Sequence, residues 1–189
     1  MNDHTYASGP CTEQKNNLIL IGMMGTGKTT AGALAAQALG YTLVDLDAEI
    51  VRLEGRSIPE LFAEQGEVYF RRAESKALEA VLRGEGQVVA TGGGAVLDPA
   101  NVRLMRQGGL VAALTATFSE IVSRVAGDTN RPLLAGNAEE RVRTIMEARK
   151  DAYRFADVTV DTTGLTAEQV AEQLVHVVRE GNKKRRTGV

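Results

Sequence analysis

The chain has 189 residues, 43% apolar and 24% charged, which fits one α/β domain with a sizeable core and leaves no room for a second large module. Net charge is −2, yet four positive charges lie in Lys183-Lys184-Arg185-Arg186; without them 18 basic residues face 24 acidic ones, about −6, the wrong balance for gripping a polyanion. Aromatics make up only 4% and Trp is absent, which weakens any case for the stacking platforms of single-strand nucleic-acid binders.

Residues 1–16 are polar, contain Gly9-Pro10 and show no apolar periodicity, so they read as a disordered tail without the charged start and apolar stretch of a signal peptide. Cys11 is the single cysteine and cannot form an internal disulfide. No stretch approaches the ~20 apolar residues that span a bilayer, so a cytoplasmic location and no membrane partner are expected. One domain is expected over 17–181, followed by a solvated basic tail over 182–189.

The first apolar run, Asn17–Ile21, leads into Gly22-Met23-Met24-Gly25-Thr26-Gly27-Lys28-Thr29 and then a helix-like alanine-rich stretch. Strand, glycine turn and helix start together make this a phosphate-binding loop, whose glycines let backbone N–H groups curl around phosphate oxygens. The expected ATP contacts are Gly25, Thr26, Gly27, Lys28, Thr29 and Thr30. Lys28 would reach the β/γ-phosphates, and the Thr29 hydroxyl would ligate Mg²⁺.

The second run, Tyr41–Asp45, ends in Val44-Asp45-Leu46-Asp47, two carboxylates at the strand end where open α/β sheets bind ligands. Asp45 is placed to hold Mg²⁺ through water. Asp47 has two readings, acceptor of a hydrogen bond from an attacking hydroxyl or cap of the helix after it. Asp47 to Gly84 then holds two or three helices, one opened by the capping box Ser57-Ile58-Pro59-Glu60. Within it Arg71 is spaced to pair with Glu67 and Glu74, which reads equally well as surface salt bridging or as a planar fork held for an acceptor carboxylate.

The third run, Gln87–Thr91, is followed directly by Gly92-Gly93-Gly94, a triplet that favours close backbone approach to a ligand. No aspartate ends this strand, so Asp45 must take the metal duty. Asp98-Pro99 signals a helix start, and Leu110–Leu114 and Asp157–Asp161 are the fourth and fifth runs. Capping patterns recur at Thr117–Glu120 and Thr166–Gln169. Between them, 124–137 carries two glycines, a proline, Arg124 and Arg131, a composition suited to a mobile lid, with Arg131 a clamp on the γ-phosphate. Arg149, with Tyr153 one turn on, is either an acceptor ligand or an ordinary exposed helix arginine. Strands alternating with helices predict a parallel sheet covered on both faces.

In this order, the loop at 22–29, Val44–Asp47, Ile58–Phe62 with Gly66-Glu67 and Phe70-Arg71, Glu74, Gly92–Gly94, Arg131–Leu134 and Arg149-x-x-x-Tyr153-x-x-x-Asp157 resemble shikimate kinase over most of the chain. The resemblance implies a nucleoside-monophosphate-kinase-like fold, its five-stranded parallel sheet ordered 2-3-1-4-5, and ATP-dependent phosphorylation of the shikimate 3-hydroxyl in aromatic amino-acid biosynthesis. By position it implies that Asp47, Arg71, Gly93, Gly94 and Arg149 bind shikimate, the two arginines taking its carboxylate and Asp47 its hydroxyls. It further implies an acceptor segment at about 47–84, a ring pocket lined by Phe62 and Phe70 with Glu74 behind, and Arg124 near adenine. Catalysis would fall to Asp47, Lys28 and Arg131. Ala33 stands where relatives often carry Arg or Lys. Gluconate kinase shares the phosphate loop, and a non-catalytic nucleotide switch is the rival from another class, though GTPase recognition motifs are absent. With no long apolar edge or heptad, a monomer is expected.

Overall fold

A computed structural model describes residues 16–125 and 138–187. Five parallel strands, β1 (Leu18–Gly22), β2 (Thr42–Asp45), β3 (Gln87–Ala90), β4 (Leu110–Thr115) and β5 (Val158–Asp161), form one sheet in the order β2-β3-β1-β4-β5. Each of the five apolar runs is a strand, and the order is the one the resemblance implied.

The sheet is buried on both faces, and its central strands show why. In β1, Ile19 and Ile21 enter one apolar cluster while Leu18 and Leu20 enter another, because successive side chains point to opposite faces. The first cluster lies under α2 (Leu46–Glu54), α3 (Ile58–Val81) and α4 (Pro99–Gly108). The second lies under α1 (Lys28–Leu39) and α7 (Ala167–Thr187). A third cluster packs Met23 and Met24 of the phosphate loop beneath α5 (Phe118–Val125) and α6 (Ala138–Ala148), through Ile121, Val125 and Val142.

Helix starts follow the sequence signals. Ser57 and Glu60 close a full capping box at α3, and Asp98 accepts from the Ala100 N–H with Pro99 at the first helical position. Thr166 and Gln169 close a second reciprocal box. At Thr117 only half a box forms, because the Glu120 carboxylate turns instead to Arg124. The helical stretch after β2 is α2 plus an α3 broken at Gly66, whose φ of 78° and ψ of 172° are non-helical. The basic run expected as a solvated tail is instead helical: α7 runs on to Thr187. Lys and Arg are good helix formers and suit a helix C-terminus.

Asn17 ties the N-terminal ends of three strands together. It is 3% exposed, donates to the carbonyls of Gly84 and Gly108, and accepts from the Gln87 N–H. At the opposite end, where β1, β2 and β3 finish, lies the largest concentration of motif residues.

Candidate active site

The phosphate loop leaves β1 at Gly22, where a β-carbon would fall 2.2 Å from the Leu114 carbonyl oxygen and φ is 136°. Gly25 and Gly27 also have positive φ, so the loop curls tightly before α1 begins at Lys28. The Lys28 ammonium donates to the carbonyls of Gly22 and Met23, which places it over the loop. Thr26 is 1% exposed and its hydroxyl donates to Met23, bracing the loop from inside; a phosphate contact by Thr26 would have to come from its N–H.

Beside the loop, the Thr29 hydroxyl donates to Asp45 Oδ2 at 2.7 Å. Asp45 also caps α2, its Oδ1 accepting from the Ala48 N–H. The capping role considered for Asp47 therefore belongs to Asp45, because α2 starts earlier than the apolar pattern suggests. Asp47 stands in the first turn of α2, exposed on the cleft wall.

The cleft has a volume of about 390 Å³ and is lined by Gly25, Lys28, Thr29, Asp45, Asp47, Phe62, Phe70, Arg71, Glu74, Gly92, Gly93, Gly94, Arg124 and Arg149, among others. Residues from seven separate motifs thus share one cavity. Its aromatic wall is Phe62 against Phe70, ring centroids 4.7 Å apart, with the Arg71 guanidinium 5.2 Å from the Phe70 centroid.

Arg71 is salt-bridged and also lines the cleft. It pairs with Glu67 and with Glu74, the latter at 2.7 Å, while its side chain remains 26% exposed. Glu74 is 1% exposed, and its Oε1 has no hydrogen-bond partner among the described residues. Burial pushes the Glu74 carboxyl up; the Arg71 charge and hydrogen bond pull it down, and Asp47 adds a further upward push. Burial lowers the Arg71 guanidinium, but Glu74 and Glu67 more than offset this and leave it raised.

The glycine triplet meets both halves of the cleft. A β-carbon on Gly92 would lie 2.7 Å from Glu74 Oε1 and 3.0 Å from Asp47 Oδ1, and one on Gly94 would lie 2.7 Å from the Arg71 guanidinium nitrogens. Arg149 is 9% exposed, which rules out the ordinary exposed arginine. It sits one residue past α6, its Nη1 3.4 Å from where a Gly93 β-carbon would be. Arg124 donates to Gly25 O and to Thr162 O and Oγ1, which fixes it beside the loop at the end of β5. Arg131 and most of the expected lid lie outside the described residues.

Two motif positions do work that the sequence did not suggest. Tyr153 donates to the Gly93 carbonyl at 2.9 Å. Asp157 accepts from the Val111 N–H through its side chain and donates to the Val111 carbonyl through its backbone, starting the β4–β5 pairing.

The sequence model of shikimate kinase matches residues 24–179. The chain belongs to the shikimate kinase family. Family membership gives the reaction, ATP-dependent phosphorylation of shikimate. The shikimate kinase of Geobacter sulfurreducens is 47% identical over 165 residues, covering 87% of this chain and 91% of its own. Among solved structures, shikimate kinase from Acinetobacter baumannii in complex with shikimate superposes with a TM-score of 0.84 at 35% identity, covering 87% of this chain and 93% of that one. A gluconokinase from Sinorhizobium meliloti, 16% identical over 93% of this chain and 98% of its own with a TM-score of 0.59, shares the fold alone.

Proposed function

We propose that this chain, acting as a cytoplasmic monomer, transfers the γ-phosphoryl group of ATP to the 3-hydroxyl of shikimate through the cleft residues named above. The observation that carries this assignment is the convergence of Asp47, Arg71, the glycine triplet and Arg149 on one cavity with the phosphate loop. That set matches an alicyclic polyol bearing one carboxylate.

ATP sits with its phosphates on the N–H groups of 25–30 at the start of α1, where the helix dipole favours anions. Lys28 leaves its loop carbonyls for the β/γ-phosphate oxygens. Thr29 and Asp45 fit Mg²⁺, which takes one or two protein oxygens and fills its other positions with water and phosphate; bound there, the ion would neutralise phosphate charge. No cluster of three or more His, Cys, Asp or Glu among the described residues offers an all-protein cage instead.

Arg71 and Arg149 hold the shikimate carboxylate, and Glu74 keeps the Arg71 fork turned to the cleft. Phe62 and Phe70 cover the ring. Asp47 accepts the hydrogen bond of the 3-hydroxyl and takes its proton as the oxygen attacks phosphorus. Phosphoryl transfer needs mainly positioning and charge stabilisation; Arg131, outside the described residues, is the clamp on the γ-phosphate in this reading, and Arg124 serves the adenine end.

The test is a coupled assay of ADP release with shikimate, gluconate and nucleoside monophosphates offered separately, each with and without Mg²⁺. Turnover with shikimate alone, dependent on Mg²⁺, is expected. Turnover only with gluconate or a nucleotide would sink the assignment, and ATP binding with no acceptor-dependent ADP release would mark a switch.

A further inference from the structure

We propose that Tyr153 is a positioning residue for the acceptor, its hydroxyl orienting the glycine triplet so that the Gly94 N–H serves as a fixed donor to the substrate. The inference rests on the shikimate kinase reading of the cleft.

Tyr153 lies in the turns that follow α6, outside the cleft lining. Its ring packs against two apolar clusters at once, the one under α2 to α4 and the one holding Met23 and Met24 beneath α5 and α6. So placed, the ring has little freedom, and its hydroxyl reaches Gly93 O at 2.9 Å. In a trans peptide the carbonyl and the following N–H point in opposite directions, and no peptide among the described residues is cis. Holding the Gly93 carbonyl on Tyr153 therefore turns the Gly94 N–H away from Tyr153.

That N–H has no acceptor within the chain among the described residues, and neither does that of Gly93. Gly94 forms cleft wall against the Arg71 guanidinium, while Gly93 lies against Gly22 O and Arg149 Nη1. The pinned peptide thus bridges the donor loop and both acceptor arginines. Burial raises the Tyr153 phenol, partly offset by the Arg149 charge and hydrogen bond, so the hydroxyl keeps the proton it donates to Gly93.

The test is Tyr153→Phe, which removes one hydroxyl and keeps the ring. Losing a single hydrogen bond that orders the acceptor wall is expected to raise the shikimate KM, and the shikimate Kd by calorimetry, about five- to tenfold. The ATP KM and the melting temperature stay near wild type. Tyr153→Leu, which also removes the ring, lowers the melting temperature as well. A phenylalanine variant with wild-type shikimate affinity overturns the proposal, as does one that loses ATP and shikimate affinity equally. Wild-type protein that binds ATP but no shikimate would overturn the underlying reading first.

Discussion

Gly94→Ala is a one-carbon test of the acceptor site. The backbone at Gly94, φ −101° and ψ −8°, is open to alanine, so the change carries no conformational penalty. The added β-carbon would lie 2.7 Å from Arg71 Nη1 and Nη2 and 2.8 Å from Cζ, whereas ordinary contact begins at 3.4 Å. The guanidinium must therefore retreat by roughly 0.7 Å, and a misplacement of ~1 Å near a reacting group can cost about 10²-fold. Retreat also strains the 2.7 Å bond to Glu74, whose other oxygen already lacks a partner among the described residues; leaving that buried carboxylate unpaired costs about 1–3 kcal/mol. The three nearest atoms to the new carbon all belong to the Arg71 guanidinium, so the clash falls on the acceptor side of the cleft. The expected result is a shikimate KM raised about 10- to 100-fold, with ATP KM nearly unchanged and a modest fall in melting temperature. Steady-state ADP release with each substrate varied in turn, beside a thermal melt, reads all three. A near-wild-type shikimate KM, or an equal rise in the ATP KM, would show that Arg71 does not hold the acceptor.

Asn17→Ala removes three hydrogen bonds from a buried strand hub, a loss of about 3 kcal/mol at ~1 kcal/mol each; denaturant unfolding should show it, and a loss under about 1 kcal/mol would refute the role. Asp45→Asn keeps an equally good helix cap but drops a charge beside Thr29, so the Mg²⁺ needed for half-maximal rate should rise with the melting temperature unmoved, whereas an unaltered Mg²⁺ titration would remove Asp45 from the metal site. Burial holds the Glu74 carboxyl above its ordinary range, so the folded protein keeps a proton there that the unfolded chain has released. The stability this contributes is present in acid and declines as pH rises from the ordinary carboxylate range through the raised value. Glu74→Gln abolishes that component, and a wild-type-minus-variant unfolding free energy that stays level across the window would contradict it.

The strands were legible because a parallel sheet covered on both faces demands unbroken apolar runs, and each such run here is bounded by glycines or capping residues. The phosphate loop was legible for the same local reason. Arg71 was not, since i,i+3 and i,i+4 spacing records its pairing with Glu74 and Glu67 but not which way the free edge of the guanidinium faces. Asp47 was the cap that the sequence offered, until the start of α2 at Leu46 assigned the job to Asp45. The role of Tyr153 was not legible because its partner is a backbone carbonyl 60 residues away, and a carbonyl leaves no mark in sequence. The helical basic terminus was missed because a run of like charges reads the same in a solvated coil and in an extended last turn.

The break in α3 at Gly66 has a consequence for the shape of the cleft. Phe62 and Phe70 are eight residues apart; along an unbroken helix their α-carbons would be separated by about 12 Å of rise, too far for rings at 4.7 Å. The bend folds one half of the helix towards the other and so makes the aromatic wall. Joint and wall are one device. A residue at 66 that straightened the chain would leave the helix intact and part the two rings of the cleft wall.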